Sequence, residues 1–184
     1  EQIRGPVKST SVLATLVAVR MDDGWDSAGG RTLSDFIDSE STRLRSSLGV
    51  NDRQSVVKAF DGPVRAVRCA LAIAGYARDY KIDCGIGVHV GECKVSGGVP
   101  SGSAVDLCMQ LAEQGSISAV LTTRTVADLA PRSRFDFSQL EQSLRDAEGT
   151  EWPVFAVSAL GDRGQFTYLD GGQAVRDPTR SEDK

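Results

Sequence analysis

The sequence has no apolar run approaching the roughly 18 residues of a membrane-spanning helix, so neither a span nor a signal peptide is expected within it. It has no basic excess either: 21 Lys and Arg stand against 25 Asp and Glu, for a net charge of -4. The positive charges are scattered among carboxylates and form no run, which argues against nucleic acid as a partner. Cysteines do not come in close pairs. Cys69, Cys84, Cys93 and Cys108 stand singly in apolar or mixed surroundings, without the spacing of a zinc site or the density of a disulfide scaffold. Buried free thiols in a reducing, cytoplasmic compartment are expected. No Gly-Lys-Ser/Thr follows the glycine-rich stretch Gly97 to Gly102, so a P-loop is excluded.

What is present is one domain's worth of chain. At 184 residues, against a prior of roughly 150 per domain, one hydrophobic core and a tail are expected. The pattern divides into an N-terminal extension over 1–11, a folded domain over 12–160 and a tail or linker over 161–184. The chain opens on Glu1, as expected of a segment of a larger protein with other domains.

Val12 to Val19 (VLATLVAV) is almost continuously apolar and predicts a central strand covered on both faces. After a polar turn over 22–30, Thr32 and Asp35 stand at capping-box spacing, and Leu33, Phe36, Ile37, Leu44 and Leu48 recur with helical period up to a stop at Gly49. Ser55 to Phe60 predicts a short strand, and Asp61-Gly62-Pro63 a turn that starts a second helix through Val64, Val67, Leu71 and Ala74. Lys81 to Val90 predicts a strand in which Gly85 and Gly87 mark a bulge or a close backbone contact, with Cys93 to Val95 continuing as a hairpin.

A third helix is expected from Ala104 to Gln114, ended by Gly115, then a strand over Ser118 to Leu121 and a short helix capped by Thr123. Phe135 to Leu140 and Trp152 to Val157 read as closing strands separated by a charged connection, Glu141 to Thr150. In the tail, Phe166, Tyr168 and Leu169 mark a linker or an added strand packing on the sheet, and Gly172 to Lys184 a frayed end. Together the segments predict an α/β (α+β) domain, a mixed sheet with helices packed against it.

Four of these stretches, Val12 to Met21 (VLATLVAVRM), Lys58 to Ala72 (KAFDGPVRAVRCALA), Gly87 to Glu92 (GVHVGE) and Gly102 to Leu111 (GSAVDLCMQL), resemble the class III adenylate/guanylate cyclase homology domain, its bacterial members most of all. The resemblance runs from about Val12 to about Val157 in the family's order. It implies a ferredoxin-like mixed or antiparallel sheet with packed helices, and head-to-tail homodimers or heterodimers with shared sites at the interface. In such sites two aspartates hold Mg²⁺ or Mn²⁺, while an asparagine and an arginine stabilise the phosphoryl group as ATP becomes cyclic AMP and pyrophosphate.

Carried onto this chain, the resemblance puts Arg20 at the first metal aspartate and Gln54 near the second. An arginine has five donors and no acceptor, so it cannot ligate a hard cation. Gln54 offers a neutral amide oxygen; Asp52, two residues earlier, would share its face on a strand. The transition-state pair falls at Asp106 and Gln110, i and i+4 on one helix face, and the adenine-reading position at Ser103. A carboxylate beside a polyphosphate is repulsive, and the arginine's charge-assisted donors are gone. These four degenerate positions predict a regulatory or dimerisation module rather than an enzyme, with no cofactor and no membrane contact. An active adenylate cyclase, which alone would need Mg²⁺ or Mn²⁺, and a nucleotide-binding sensor without turnover remain as alternatives.

Three further expectations attach to this region. Arg20 is expected to pair with Asp106 of the same or a neighbouring subunit, turning a metal site into a salt bridge. His89, the only histidine, is expected to be structural, its ring satisfying a backbone carbonyl, and Glu92 to be scaffold. Gly97 to Gly102 is expected to be a turn beside the dimer seam.

Overall fold

The computed structural model describes residues 9–21, 24–46, 48–51, 55–115, 119–160, 166–168 and 174–176. In chain order the elements are β1 (Thr10–Arg20), α1 (Ala28–Arg43), β2 (Leu48–Asn51), β3 (Ser55–Phe60), α2 (Pro63–Asp79), β4 (Gly85–Ser96), β5 (Val99–Ser101), α3 (Ser103–Gln114), β6 (Val120–Thr123), α4 (Arg124–Leu129), β7 (Phe135–Arg145), β8 (Glu151–Ala159), β9 (Phe166–Tyr168) and β10 (Ala174–Arg176). The main sheet runs β2-β3-β1-β4-β6-β8-β7, with β5 added to β4. Every neighbouring pair is antiparallel except β4 with β6. This is the mixed sheet with packed helices that the hydrophobic pattern predicts.

β1 is central because both of its faces are apolar. Alternation sends Val17, Val19 and Met21 into a core shared with α1 and α2, and Ala14, Leu16 and Ala18 into a second core under α3. Leu16, Val17, Ala18 and Val19 are all buried. The same alternation aims Arg20, the next even-numbered residue, toward the α3 side. Its backbone lies opposite Ser55 of β3 and Gly85 of β4, at the last rung of both ladders.

Several element boundaries differ from the sequence pattern, each for a local reason. α1 starts earlier, capped by Ser27, whose Oγ accepts from the Gly30 N–H; Thr32 lies inside the helix and donates to the Ala28 carbonyl instead. α1 also stops earlier, at Arg43, because Arg45 takes a left-handed conformation (φ 60°). Leu48 and Gly49 then belong to β2, antiparallel to β3; the four-residue spacing of Leu44 and Leu48 imitates a helix across a chain reversal. β4 begins at Gly85 rather than Lys81 and runs on through Cys93 to Val95 as one strand.

The glycine-rich stretch turns at Gly97 and Gly98, both left-handed, and returns as β5 with Ser96 opposite Val99. Glu141 to Arg145 is strand rather than connection, and the turn that follows is closed by Asp146, whose carboxylate accepts from the N–H groups of Glu148 and Thr150 and from Trp152 Nε1. In the tail, β9 and β10 pair with each other in a separate two-stranded sheet, so this segment is not an added strand of the main sheet, and residues 174–176 are extended where a frayed end is expected. Among the described residues no helix is long and apolar enough to cross a membrane, and the four cysteines are buried and free.

α3 lies directly on the backbone of β4. A Cβ added to Gly85 would sit 1.8 Å from the Ala112 carbonyl oxygen, and one added to Gly87 would sit 2.3 Å from that of Cys108. These glycines mark a close backbone contact, one of the two reasons their positions suggest. Cys108 fills the seam: its Sγ donates to the carbonyls of Leu16 and Gly87 at 3.4 Å each, and burial pushes its thiol up to about 12. Gly87→Ala must therefore push α3 off the sheet. We expect a loss of about 1–3 kcal/mol or more, measured by urea denaturation, whereas Gly62→Ala, with nothing near the added methyl, should change stability by less than about 1 kcal/mol.

Candidate functional site

The site is assembled where β1 ends. Arg20 projects from its last residue toward α3 and meets Glu113, with Nη1 3.5 Å from Oε1. The two side chains are 32% and 50% exposed, so the pair is worth no more than about 1 kcal/mol to folding. Around it lies a small polar cavity of about 40 Å³ to which Arg20, Asp83, Cys84, Gly85 and Glu113 contribute. That is room for water or one ion, far below the roughly 300 Å³ or more of a pocket that encloses a small organic ligand.

The expected Arg20–Asp106 pair is not made within the chain. Asp106 is in the first turn of α3 and Glu113 in its last, about 10 Å apart along the axis at 1.5 Å per residue, so a guanidinium seated at Glu113 does not reach Asp106. Ser103, Asp106, Gln110 and Glu113 follow one another at i, i+3, i+7 and i+10, and this stripe is the solvent side of α3: Ser103, Asp106 and Glu113 are exposed and Gln110 half-buried. The opposite side, Val105, Leu107, Cys108, Leu111 and Ala112, is buried. Asp106 and Gln110 thus present together, as their spacing predicts. Gln54 and Asp52 lie outside the described residues.

Glu113 and Asp83 are the groups that motif reasoning passes over. Glu113 is three residues past Gln110, and extending the polar stripe of α3 by one turn would have found it. Asp83 carries no such signal, since only the pairing of Arg20 with Gly85 brings the start of β4 to this corner.

Whether a divalent ion fits here is decided by the donors. Asp83 and Glu113 supply carboxylate oxygens, but Arg20, at the position where the resemblance implies a metal aspartate, supplies none. A divalent ion 4 Å from a guanidinium is repelled by about 2 kcal/mol even at water-like screening. Among the described residues no group of three or more His, Cys, Asp or Glu could hold a metal ion. The described residues at this corner do not fit a two-metal arrangement.

His89 forms a separate, internal cluster. It is buried on β4, with Nδ1 2.9 Å from Thr123 Oγ1 and its ring edge-on to Trp152 at 5.2 Å. Its partner is thus a hydroxyl rather than the expected backbone carbonyl, and Thr123 spends its side chain there instead of capping α4. Glu92 is exposed and accepts from Ser11 Oγ across β1 and β4, which suits a scaffold role.

No family model and no curated protein sequence matches the chain. Solved structures do. The catalytic core of a rhodopsin-guanylyl cyclase with converted specificity, in complex with ATPαS, matches with a TM-score of 0.70 at 13% identity, covering 83% of this chain and 99% of that one. The adenylate/guanylate cyclase/hydrolase from Silicibacter pomeroyi matches with a TM-score of 0.63 at 18% identity, over 81% and 98%. The dimeric guanylyl cyclase domain of the RhoGC fusion protein from the aquatic fungus Blastocladiella emersonii matches with a TM-score of 0.63 at 13% identity, over 83% and 98%. The fold is therefore the class III nucleotidyl cyclase homology fold. Bacterial and fungal cyclases match it alike, so the likeness is not specifically bacterial.

Burial pushes His89 down to about 4 from its ordinary 6.5. The unfolded chain then binds the extra proton first, so the histidine's contribution is fully present above pH 6.5 and is lost as pH falls toward 4. Between pH 7.5 and 4.5 wild type should lose about 2–3 kcal/mol more unfolding free energy than His89→Gln. Urea titrations at the two pH values test this; equal losses would contradict it.

Proposed function

We propose that this chain is a catalytically degenerate cyclase-fold module that serves regulation or dimerisation within a larger protein and makes no cyclic nucleotide. The observation that carries the proposal is the ion pair of Arg20 with Glu113 at the end of β1, a cation where metal-dependent phosphoryl transfer needs an anion. The α3 stripe supports it. Asp106, exposed, and Gln110, half-buried, share one side of α3, and neither supplies the cationic donor that stabilises a transferring phosphoryl group.

Dimerisation draws support from a neighbour of the same fold, the fungal domain described as a non-canonical dimer. In this reading two copies, or one copy and a homologous partner, meet through the face carrying the α3 stripe, and the module works in a reducing compartment where its thiols stay free. Its output is assembly rather than chemistry.

The test is one sample assayed twice. With ATP or GTP and Mn²⁺, no cyclic nucleotide should form above a blank, and sedimentation should show a dimer at micromolar concentration. Turnover would establish the enzyme instead, and nucleotide binding by calorimetry without turnover would establish a sensor. Losing one transition-state donor typically costs about 10²- to 10³-fold, so the combined changes should put turnover below detection.

A further inference from the structure

We propose that Arg20 is a tethered counter-cation: its guanidinium, on the wall of the cavity at the end of β1 and paired with Glu113, excludes divalent ions from that cavity. Among the described residues, the carboxylate-bearing Asp83 and Glu113 and the cationic Arg20 line this corner. Strand alternation aims Arg20 into this corner rather than out to solvent, and the close seating of α3 on Gly85 brings Glu113 to within 3.5 Å of the guanidinium. Without Arg20 the same corner would keep the carboxylate-bearing Asp83 and Glu113 on a cavity at least as large as the present one of about 40 Å³, the donor type and space a hard cation takes.

A covalently attached cation differs from a bound ion in two ways. Its local concentration does not depend on the solution, and an arginine does not lose its charge at any physiological pH. The Glu113 carboxylate at the junction of β1 with the end of α3 then always has a cation beside it, and its geometry is indifferent to Mg²⁺ or Mn²⁺. The pair is too exposed to be a major source of stability; its consequence is ion exclusion. This inference rests on the same placement of Arg20 as the non-catalytic reading but concerns the ion rather than turnover, so the two are tested separately.

The experiment titrates the whole chain with Mn²⁺, following loss of the free-ion electron paramagnetic resonance signal and, in parallel, the melting temperature. Wild type should show no saturable binding at millimolar Mn²⁺ and no shift in melting. Arg20→Asp should bind Mn²⁺ at least about tenfold more tightly, as expected when a repulsive charge is removed and an oxygen donor added, and should melt higher with Mn²⁺ than without. Arg20→Asp combined with Glu113→Gln should lose that gain. If Arg20→Asp does not fold by circular dichroism, Arg20→Gln, which removes the charge and keeps most of the length, should show the same gain in weaker form. Saturable Mn²⁺ binding by wild type as tight as by the variants overturns the inference. So do folded Arg20→Asp and Arg20→Gln proteins that bind no better than wild type. Either result leaves the absence of cyclic nucleotide formation to be judged by its own assay.

Discussion

The contact on which the rest of this structure depends is the seating of α3 on the bare backbone of β4. Gly85 and Gly87 leave no room for a side chain beneath Ala112 and Cys108, so the helix sits directly on the strand backbone. That close approach gives the Cys108 thiol two carbonyl acceptors, and it directs the polar stripe of α3 outward as a single row. It also carries Glu113 to the end of β1, where Arg20 waits. An ordinary alanine at either glycine would lift the helix and break this chain of consequences at its first link.

The fold was legible wherever one local signal had one structural meaning. The unbroken apolar run of β1 permitted only a strand buried on both faces, and Asp61-Gly62-Pro63 put a proline at the start of α2, where its missing N–H costs nothing. The signal failed where two structures satisfy one pattern. Leu44 and Leu48 fit a helical period, yet a left-handed Arg45 separates them and the second belongs to a strand. Thr32 has the spacing of a cap, but Ser27 lies closer to the turn and takes the role.

At the candidate site, helical spacing was legible in the sequence and tertiary partners were not. Residues 106 and 110 present together because helical geometry alone requires it. Within the chain Arg20 pairs with Glu113 rather than Asp106, because the pairing depends on how far α3 runs along β1, which spacing within α3 does not reveal. The hydroxyl beside His89 likewise comes from β6, 34 residues away in sequence. Tertiary register decides such pairs, and no local pattern carries it.

A cyclase fold is compatible with many roles, and the proposed role of this chain rests on where its charges stand. The proposal of ion exclusion turns on one atom position, the guanidinium of Arg20 beside Glu113 on the wall of the cavity at the end of β1. The most direct measurement is an anomalous difference map from crystals of the protein grown with Mn²⁺ and ATP. The account predicts Arg20 within ion-pair distance of Glu113 and no anomalous peak beside either residue. A Mn²⁺ peak in that cavity, with Arg20 swung out of it, would contradict the account.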